Sequence, residues 1–415
     1  MRVALLTAGS RGDVQPYTAL ALGLQRAGHE VTVVTHGPFE PLVTGYGLPF
    51  KAIAGDPRAI LSGEVGRSLV DTGDDFLGYM RHMIDTARPL WRQYLKDLEA
   101  GCRGAEAIVF SPLAFPAFEL ADALEVPAFL APIVPLAASR EAPMYLAPGL
   151  PLGPIYNGLT HDLFRGAASQ VLRLAVDAWR RRDLGLPPLG LEGPLSRARQ
   201  AQTPMLHGFS ETVIPRPADW PAHHVVTGSW CFDAPAGYEP PPALLDFLEA
   251  GPKPIYVGFG SMIPQRPKAV TAAVLEAIAR AGCRAVLATG WGGLAPEDVP
   301  AHVHVLEGAP HDWLFPRMAA VVHHGGAGTT AAALRAGVPS IVVPFFSDQP
   351  YWAARVAELG VGPAPLPARA LTAATLAEAI ERAVADPGMS DRARAVGDRL
   401  AAEDGVGRAV AAFHA

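Results

Sequence analysis

The sequence carries only three cysteines, Cys102, Cys231 and Cys283, far apart and odd in number. That argues against a disulfide framework and a cysteine-built zinc site, and it points to a reducing compartment. A basic excess is also missing. The formal net charge is −6 and the pI about 6.1, which leaves no electrostatic footprint for nucleic acid. No apolar run is long enough to span a bilayer, so stable membrane insertion is not expected and peripheral contact stays open. The amino terminus has one charge and a short apolar stretch that turns into a polar glycine loop, unlike a secretory signal. The expectation is a soluble cytoplasmic protein. Charge is sparse at 18%, yet half the residues are hydrophobic, enough for sizeable cores. With 415 residues, two domains are the natural expectation.

Residues 3–7 form an apolar, β-prone run, Gly9-Ser10-Arg11-Gly12-Asp13 a tight loop, and 16–27 a helix with Pro16 in its first turn. A second strand at 31–35 completes a β-loop-α-β opening, which predicts a parallel, doubly wound sheet. Buried strands follow at 107–110 and 126–130, and strand-like runs at 205–209 and 225–230. The helix-like stretch before them contains Phe76 and Met80. Residues 131–157, with Met144 and Tyr145, are rich in proline and apolar side chains but poor in pattern. Such a segment lines a cleft or packs as core. A helical period spans 161–184. Four prolines and a glycine at 233–242 read as a linker between a domain at 1–232 and another at 243–415. The second half restarts the rhythm, with strands at 254–259, 284–289 and 302–306 and closing helices at 376–385 and 393–402.

The chain is organised around His323-His324-Gly325-Gly326-Ala327-Gly328-Thr329-Thr330, between the buried-strand run 318–322 and a helix at 330–336. A glycine turn from strand to helix lets the backbone approach a ligand, and it points unpaired amides and the positive helix end at one spot. That spot suits a phosphate, although such turns also occur without a ligand. Asp348-Gln349 follows the next strand, 338–343, so both polar groups leave carboxyl ends of neighbouring strands, the ligand edge of an open α/β sheet. An Asp-Gln after a strand can equally cap a helix.

The segment 311–362, including Pro344-Phe345-Phe346-Ser347-Asp348-Gln349-Pro350-Tyr351, resembles the donor-binding region of family 1 nucleotide-sugar glycosyltransferases. The resemblance is to the branch holding sterol glucosyltransferases and bacterial enzymes that decorate glycopeptides, macrolides and other natural products. Gly9-Ser10-Arg11-Gly12-Asp13-Val14-Gln15-Pro16-Tyr17 is similar to the amino-terminal signature of the same branch. The resemblance implies the GT-B fold: two facing Rossmann-like, doubly wound parallel-sheet domains with a cleft between them. It implies that Asp13 is the general base and that Ser10 and Arg11 approach the nucleotide sugar. From the residues alone, Asp13 reads as a helix cap.

A nucleotide-sugar donor needs a platform for its base, neutralisation of its diphosphate, orientation of its sugar, and a base for the acceptor hydroxyl. Trp291 is a candidate platform, with plain core packing as the alternative, and the resemblance implies that Ala309 and His311 pair with the base edge. For the diphosphate the candidates are His324, the amides of Gly326, Ala327, Gly328 and Thr329, the Thr329 hydroxyl, and Ser261 from the opposite loop. His323 reads as structural. Asp348 and Gln349 match the sugar-contacting pair and favour a fully hydroxylated hexose such as glucose. Phe76, Met80, Met144 and Tyr145 are candidate acceptor-lining residues. No metal is required, since no Asp-x-Asp pair or His/Cys ligand cluster is present, and no cofactor is expected beyond the co-substrate, UDP-glucose or a related nucleotide sugar. Two departures stand out. Plant members of the family carry a histidine base in the first loop, where this chain has none. They also carry a ribose-binding Glu where this chain has Ala332, which leaves uridine against thymidine open.

The expected activity is inverting transfer of a hexose from a UDP-sugar to an apolar hydroxylated acceptor such as a sterol, terpenoid, polyketide, macrolide or flavonoid. The alternatives are a TDP-sugar-dependent antibiotic glycosyltransferase, a nucleotide-sugar epimerase and a non-catalytic nucleotide-sugar-binding protein.

Overall fold

The structure, a computed structural model, describes residues 1–62, 76–191, 193–195, 202–231, 237–264, 266–294, 296 and 298–415, with the side chains of 60–88 outside that description. The chain forms two compact units. One comprises Met1–Asp56, Ala87–Cys231 and Asp404–Ala415, the other Pro57–Thr86 and Phe232–Glu403.

The first unit holds a seven-stranded sheet of β1 (Arg2–Leu6), β2 (Glu30–His36), β3 (Phe50–Ile53), β4 (Ala107–Phe110), β5 (Ala128–Leu130), β6 (Met205–His207) and β7 (His224–Val226). The order is β3-β2-β1-β4-β5-β6-β7, and all pairs are parallel. Val3 to Leu6 are buried without alternation, as a strand covered on both faces requires. Winding runs outward from β1 to β3, then restarts at β4 on the other side. The loops after β1 and β4 therefore diverge, which is where doubly wound sheets take ligands.

The first helix spans Arg11–Arg26, five residues earlier than its apolar period suggests. Its start is a reciprocal cap between Ser10 and Asp13, and Pro16 lies in the second turn rather than the first. Periodicity marks where a helix packs; the cap decides where it begins.

The second unit holds a five-stranded parallel sheet of β8 (Ile255–Gly258), β9 (Ala285–Ala288), β10 (Val303–Leu306), β11 (Val321–His323) and β12 (Ser340–Val342), ordered β10-β9-β8-β11-β12. Alternate residues enter opposite cores: Ile255, Val257, Leu287 and Val322 face one, Tyr256, Val286 and Val321 the other. The switch point lies between β8 and β11. The helix after β11 spans Ala327–Arg335, three residues earlier than expected, with Gly326 as its N-cap.

The units part between Cys231 and Phe232, beside the expected linker, but Pro57–Thr86 joins the second unit and Asp404–Ala415 the first. The closing helices are Ala373–Ala385 and Pro387–Ala401, followed by a third, Gly405–His414, that belongs to the first unit. There it packs on the Arg11–Arg26 helix, where Gly23 leaves room for Val406, and Phe413 lies 4.7 Å from the Phe129 ring. Apolar period shows that this helix packs, not what it packs on. Residues 233–236 of the expected linker lie outside the described residues. The long helix Gly153–Arg182 is anchored by Arg180, buried and ion-paired with Glu119 and with Asp122, the latter at 2.9 Å.

Candidate active site

In the first unit, Asp13 is half-buried just after β1, and its Oδ2 accepts two hydrogen bonds, from the Ser10 amide at 2.8 Å and the Ser10 hydroxyl at 3.0 Å. Gly9, at φ +123°, passes directly over the carboxylate: a Cβ there would lie 2.7 Å from Asp13 Cγ. Burial raises the Asp13 pKa above the ordinary aspartate value, and the two Ser10 bonds pull it back only in part. Asp13 thus holds the helix start through Ser10 and is a carboxylate made more basic by burial, a property that suits a general base once it is deprotonated. Behind it, the buried Tyr17 donates to the Ala131 carbonyl and meets Trp230 edge-on at 5.5 Å. The nearby Asp13 charge adds to burial in raising the Tyr17 pKa, so the phenol stays protonated. Arg11 is exposed, and its Nε donates to Gln15 Oε1 at 3.2 Å along the helix surface.

In the second unit, the carboxyl ends of β8, β9, β11 and β12 bring most of the donor-side candidates together. The His324 ring is enclosed by two glycines. A Cβ on Gly260, after β8, would come within 2.9 Å of Cε1, and one on Gly326 within 2.5 Å of Nε2. Gly260 is left-handed at φ +58° and sits beside Ser261. Its carbonyl accepts from the Trp291 amide at 3.0 Å, which ties the glycine-rich loop after β9 to the same place. Trp291 is half-buried, not part of a core. Burial lowers the His324 pKa to about 4, so the ring is neutral near pH 7, and its Nδ1 is buried without a hydrogen-bond partner among the described residues. Beside it begins the Ala327–Arg335 helix, whose first amides, at Ala327, Gly328 and Thr329, have no intrahelical acceptor. A neutral imidazole donor, unpaired amides and a helix amino end form a set that suits phosphate oxygens. His323 is fully buried and its Nδ1 accepts from the Gly325 amide at 3.1 Å, a structural role.

The Asp-Gln pair divides. Gln349 is buried, its Oε1 accepting from the Phe345 amide at 2.8 Å and its Nε2 contacting Met262 Sδ at 3.2 Å. Its side-chain amide links the loop after β12 to the loop after β8. Asp348 follows Ser347, a non-glycine at φ +61°, and its Oδ2 accepts from Trp352 Nε1 at 2.9 Å. Left-handed backbone at such a residue costs about 1–2 kcal/mol, a strain that loops tend to keep where position matters. His311 stacks on Phe315 at 4.2 Å and lies 6.0 Å from Tyr256, while Ala309 packs partly into the core. Of the four acceptor candidates, Met144 is packed inside at 2% exposure and so does not line an open surface, and Tyr145 is half-buried. The side chains of Phe76 and Met80 lie outside the described residues. Gly260, Met262, Tyr17 and Trp352 escape a reading for polar motifs, because each acts through shape or through a contact distant in sequence.

Two family models match this chain: the N-terminal domain of glycosyltransferase family 28 over residues 3–143, and the erythromycin biosynthesis protein CIII-like C-terminal domain over residues 274–410. The chain belongs to the GT-B glycosyltransferases. This GT-B chain is 35% identical over 427 residues to a sterol 3-beta-glucosyltransferase of Aspergillus fumigatus, covering 100% of the chain and 30% of the relative. The chain therefore spans about 30% of the length of the curated relatives it matches. Its fold is shared by the kitacinnamycin glycosyltransferase, with a TM-score of 0.71, 20% identity and coverage of 100% and 98% of the two chains. A spinosyn rhamnosyltransferase solved with thymidine diphosphate matches with a TM-score of 0.63 at 20% identity, covering 100% of both. Among the described residues of this GT-B chain, no helix is long and apolar enough to cross a membrane.

Proposed function

We propose that the chain is an inverting glycosyltransferase that moves a hexose, glucose by the first reading, from a UDP-sugar to a hydroxyl of an apolar small molecule of sterol, terpenoid, polyketide or flavonoid type. The observation that carries this reading is the enclosure of His324 by Gly260 and Gly326 beside an uncapped helix amino end, at the switch point of the second sheet. Asp13 takes the proton of the acceptor hydroxyl, that oxygen bonds to the anomeric carbon, and the carbon–oxygen bond to the diphosphate breaks. The nucleoside diphosphate leaves on the opposite face, so configuration inverts. His324, the amides of Gly326 to Thr329, the Thr329 hydroxyl and Ser261 meet the charge that grows on the leaving group. One such preorganised donor is worth about 3 kcal/mol of barrier. Asp348 accepts from a sugar hydroxyl, and Trp291 supports the base.

The similarity to sterol 3-beta-glucosyltransferases supports glucose and an apolar alcohol. A second reading, a TDP-sugar donor, is favoured by the fold neighbour that holds thymidine diphosphate. Incubation with UDP-glucose or TDP-glucose and a mixed panel of sterol, macrolide and flavonoid acceptors, with products read by mass spectrometry and anomeric configuration by NMR, tests both. A β-glucoside formed from UDP-glucose supports the first reading. Product from TDP-glucose alone moves the assignment to the second, and an α-glucoside contradicts single displacement.

A further inference from the structure

Thr7 stands one residue past β1 and is fully buried. Its amide donates to the Val34 carbonyl at 3.0 Å, so its backbone still follows the strand beside β2. At such a place valine fills the same volume without a polar atom, and a buried hydroxyl costs free energy unless it finds an acceptor. Thr7 Oγ1 finds one in the main-chain carbonyl of Asp13, to which it donates at 2.7 Å. The side chain's one polar atom is thus given to the candidate base.

That bond falls where the helix is short of bonds of its own. Pro16 has no N–H to give the Gly12 carbonyl four residues back, and its ring crowds that carbonyl. The turn that carries Asp13 is therefore held partly from outside. Thr7 grips the Asp13 main chain from the end of the strand, and Ser10 grips its side chain from the loop. Both Ser10 bonds, from the amide and the hydroxyl, end on Oδ2, and a Cβ on Gly9 would overlap the same oxygen. Oδ1 has no hydrogen-bond partner among the described residues.

We propose that Thr7 is a positioning residue for the transfer, anchoring the Asp13 main chain to the end of β1 so that Oδ1 takes the acceptor proton. The proposal rests on the reading of Asp13 as general base. The acceptor O–H bond breaks, its proton joins Oδ1, and its electron pair forms the bond to the anomeric carbon. The diphosphate oxygen leaves with the pair of the bond that breaks. Oδ2, held by Ser10, keeps the carboxylate from turning, and Thr7 keeps the turn beneath it from drifting. A base that drifts loses rate rather than affinity.

The test is a double-mutant cycle of Thr7→Val and Asp13→Asn, run with UDP-glucose and whichever sterol, macrolide or flavonoid acceptor gives product. Thr7→Val alone should lower kcat about tenfold or more and leave both KM values within about threefold. Thr7→Ser, which keeps the hydroxyl, should restore most of the rate. In the Asp13→Asn background Thr7→Val should cost less than about twofold, since it acts through a group that is gone. A further loss of about tenfold in that background would mean that Thr7 holds the fold and not the base, and it overturns the proposal. So does an unchanged kcat in Thr7→Val where Asp13→Asn has lost activity; the base reading then stands without this anchor. No product with any acceptor, or an Asp13→Asn rate equal to wild type, removes the base reading itself and the proposal with it. If Thr7→Val does not fold, Thr7→Ser against Thr7→Ala, a pair matched but for the hydroxyl, carries the same comparison, and equal rates overturn the anchor.

Discussion

His324 and Gly260 are in mutual contact, with the imidazole Cε1 placed 2.9 Å from where a Cβ of Gly260 would stand. Loops from two strands that diverge at the switch point thus close on one ring, and the second loop grips it from the other side through Gly326. Gly260→Ala should therefore turn the ring as well as strain a backbone at φ +58°, the latter at a cost of about 1–2 kcal/mol. Calorimetric titration with UDP should show affinity reduced about tenfold or more, the loss of one good charge-assisted contact. Unchanged affinity in a folded variant would mean that the ring does not touch the diphosphate.

The same ring makes the second unit sensitive to acid. Burial holds His324 at about 4 and His323 at about 3, below the ordinary histidine value of 6.5. The unfolded chain takes up protons near pH 6.5 that the folded chain refuses, so stability is complete above that pH and falls as pH drops toward 4. For His324 the loss reaches on the order of 3 kcal/mol near pH 4. Melting temperatures from pH 8 to 4.5 should fall below pH 6.5, and less steeply in His324→Gln. Parallel curves for the two proteins would contradict a buried neutral ring.

Asp13 should set the acid limb of the rate profile. With burial raising its pKa, kcat/KM should begin to fall at a pH above the ordinary aspartate range. Ser10→Ala removes the hydroxyl bond that favours the carboxylate, so its limb should move higher still. A limb that moves lower in Ser10→Ala would remove Asp13 from the role of base.

Gln349 and Asp348, adjacent in sequence, should fail differently. Gln349→Ala leaves the Phe345 amide unpaired and cuts the link to Met262, which should cost about 1–3 kcal/mol of stability and raise the KM for the donor. Asp348→Asn keeps an acceptor for Trp352 Nε1, so it should leave the melting temperature within a few degrees and lower kcat/KM about tenfold or more, as loss of a charged sugar contact made in the transition state does. Urea melts with steady-state kinetics distinguish the two patterns, and equal loss of stability in both variants would contradict the division.

The parallel, doubly wound character of the sheets, their repetition and the two ligand-edge loops were legible in the sequence, because buried parallel strands appear as continuous apolar runs such as Val321–Val322 and Ile341–Val343; the strand order was not. Helix starts were not, since Asp13 caps backward onto Ser10 and Gly326 caps without a side chain. The inward turn of Gln349 depends on Met262, 87 residues away, which no local pattern encodes. The return of the last helix to the first unit rests on a glycine, Gly23, whose vacancy Val406 fills.

Release of UDP from UDP-glucose, followed with and without a panel of apolar alcohols, tests the central claim most directly, with Asp13→Asn and added EDTA as the comparisons. The account predicts release that requires an acceptor, falls about a hundredfold or more in Asp13→Asn and is unaffected by EDTA. Release at the same rate without any acceptor, or unchanged by Asp13→Asn, would contradict acceptor deprotonation by Asp13 and with it the transfer mechanism.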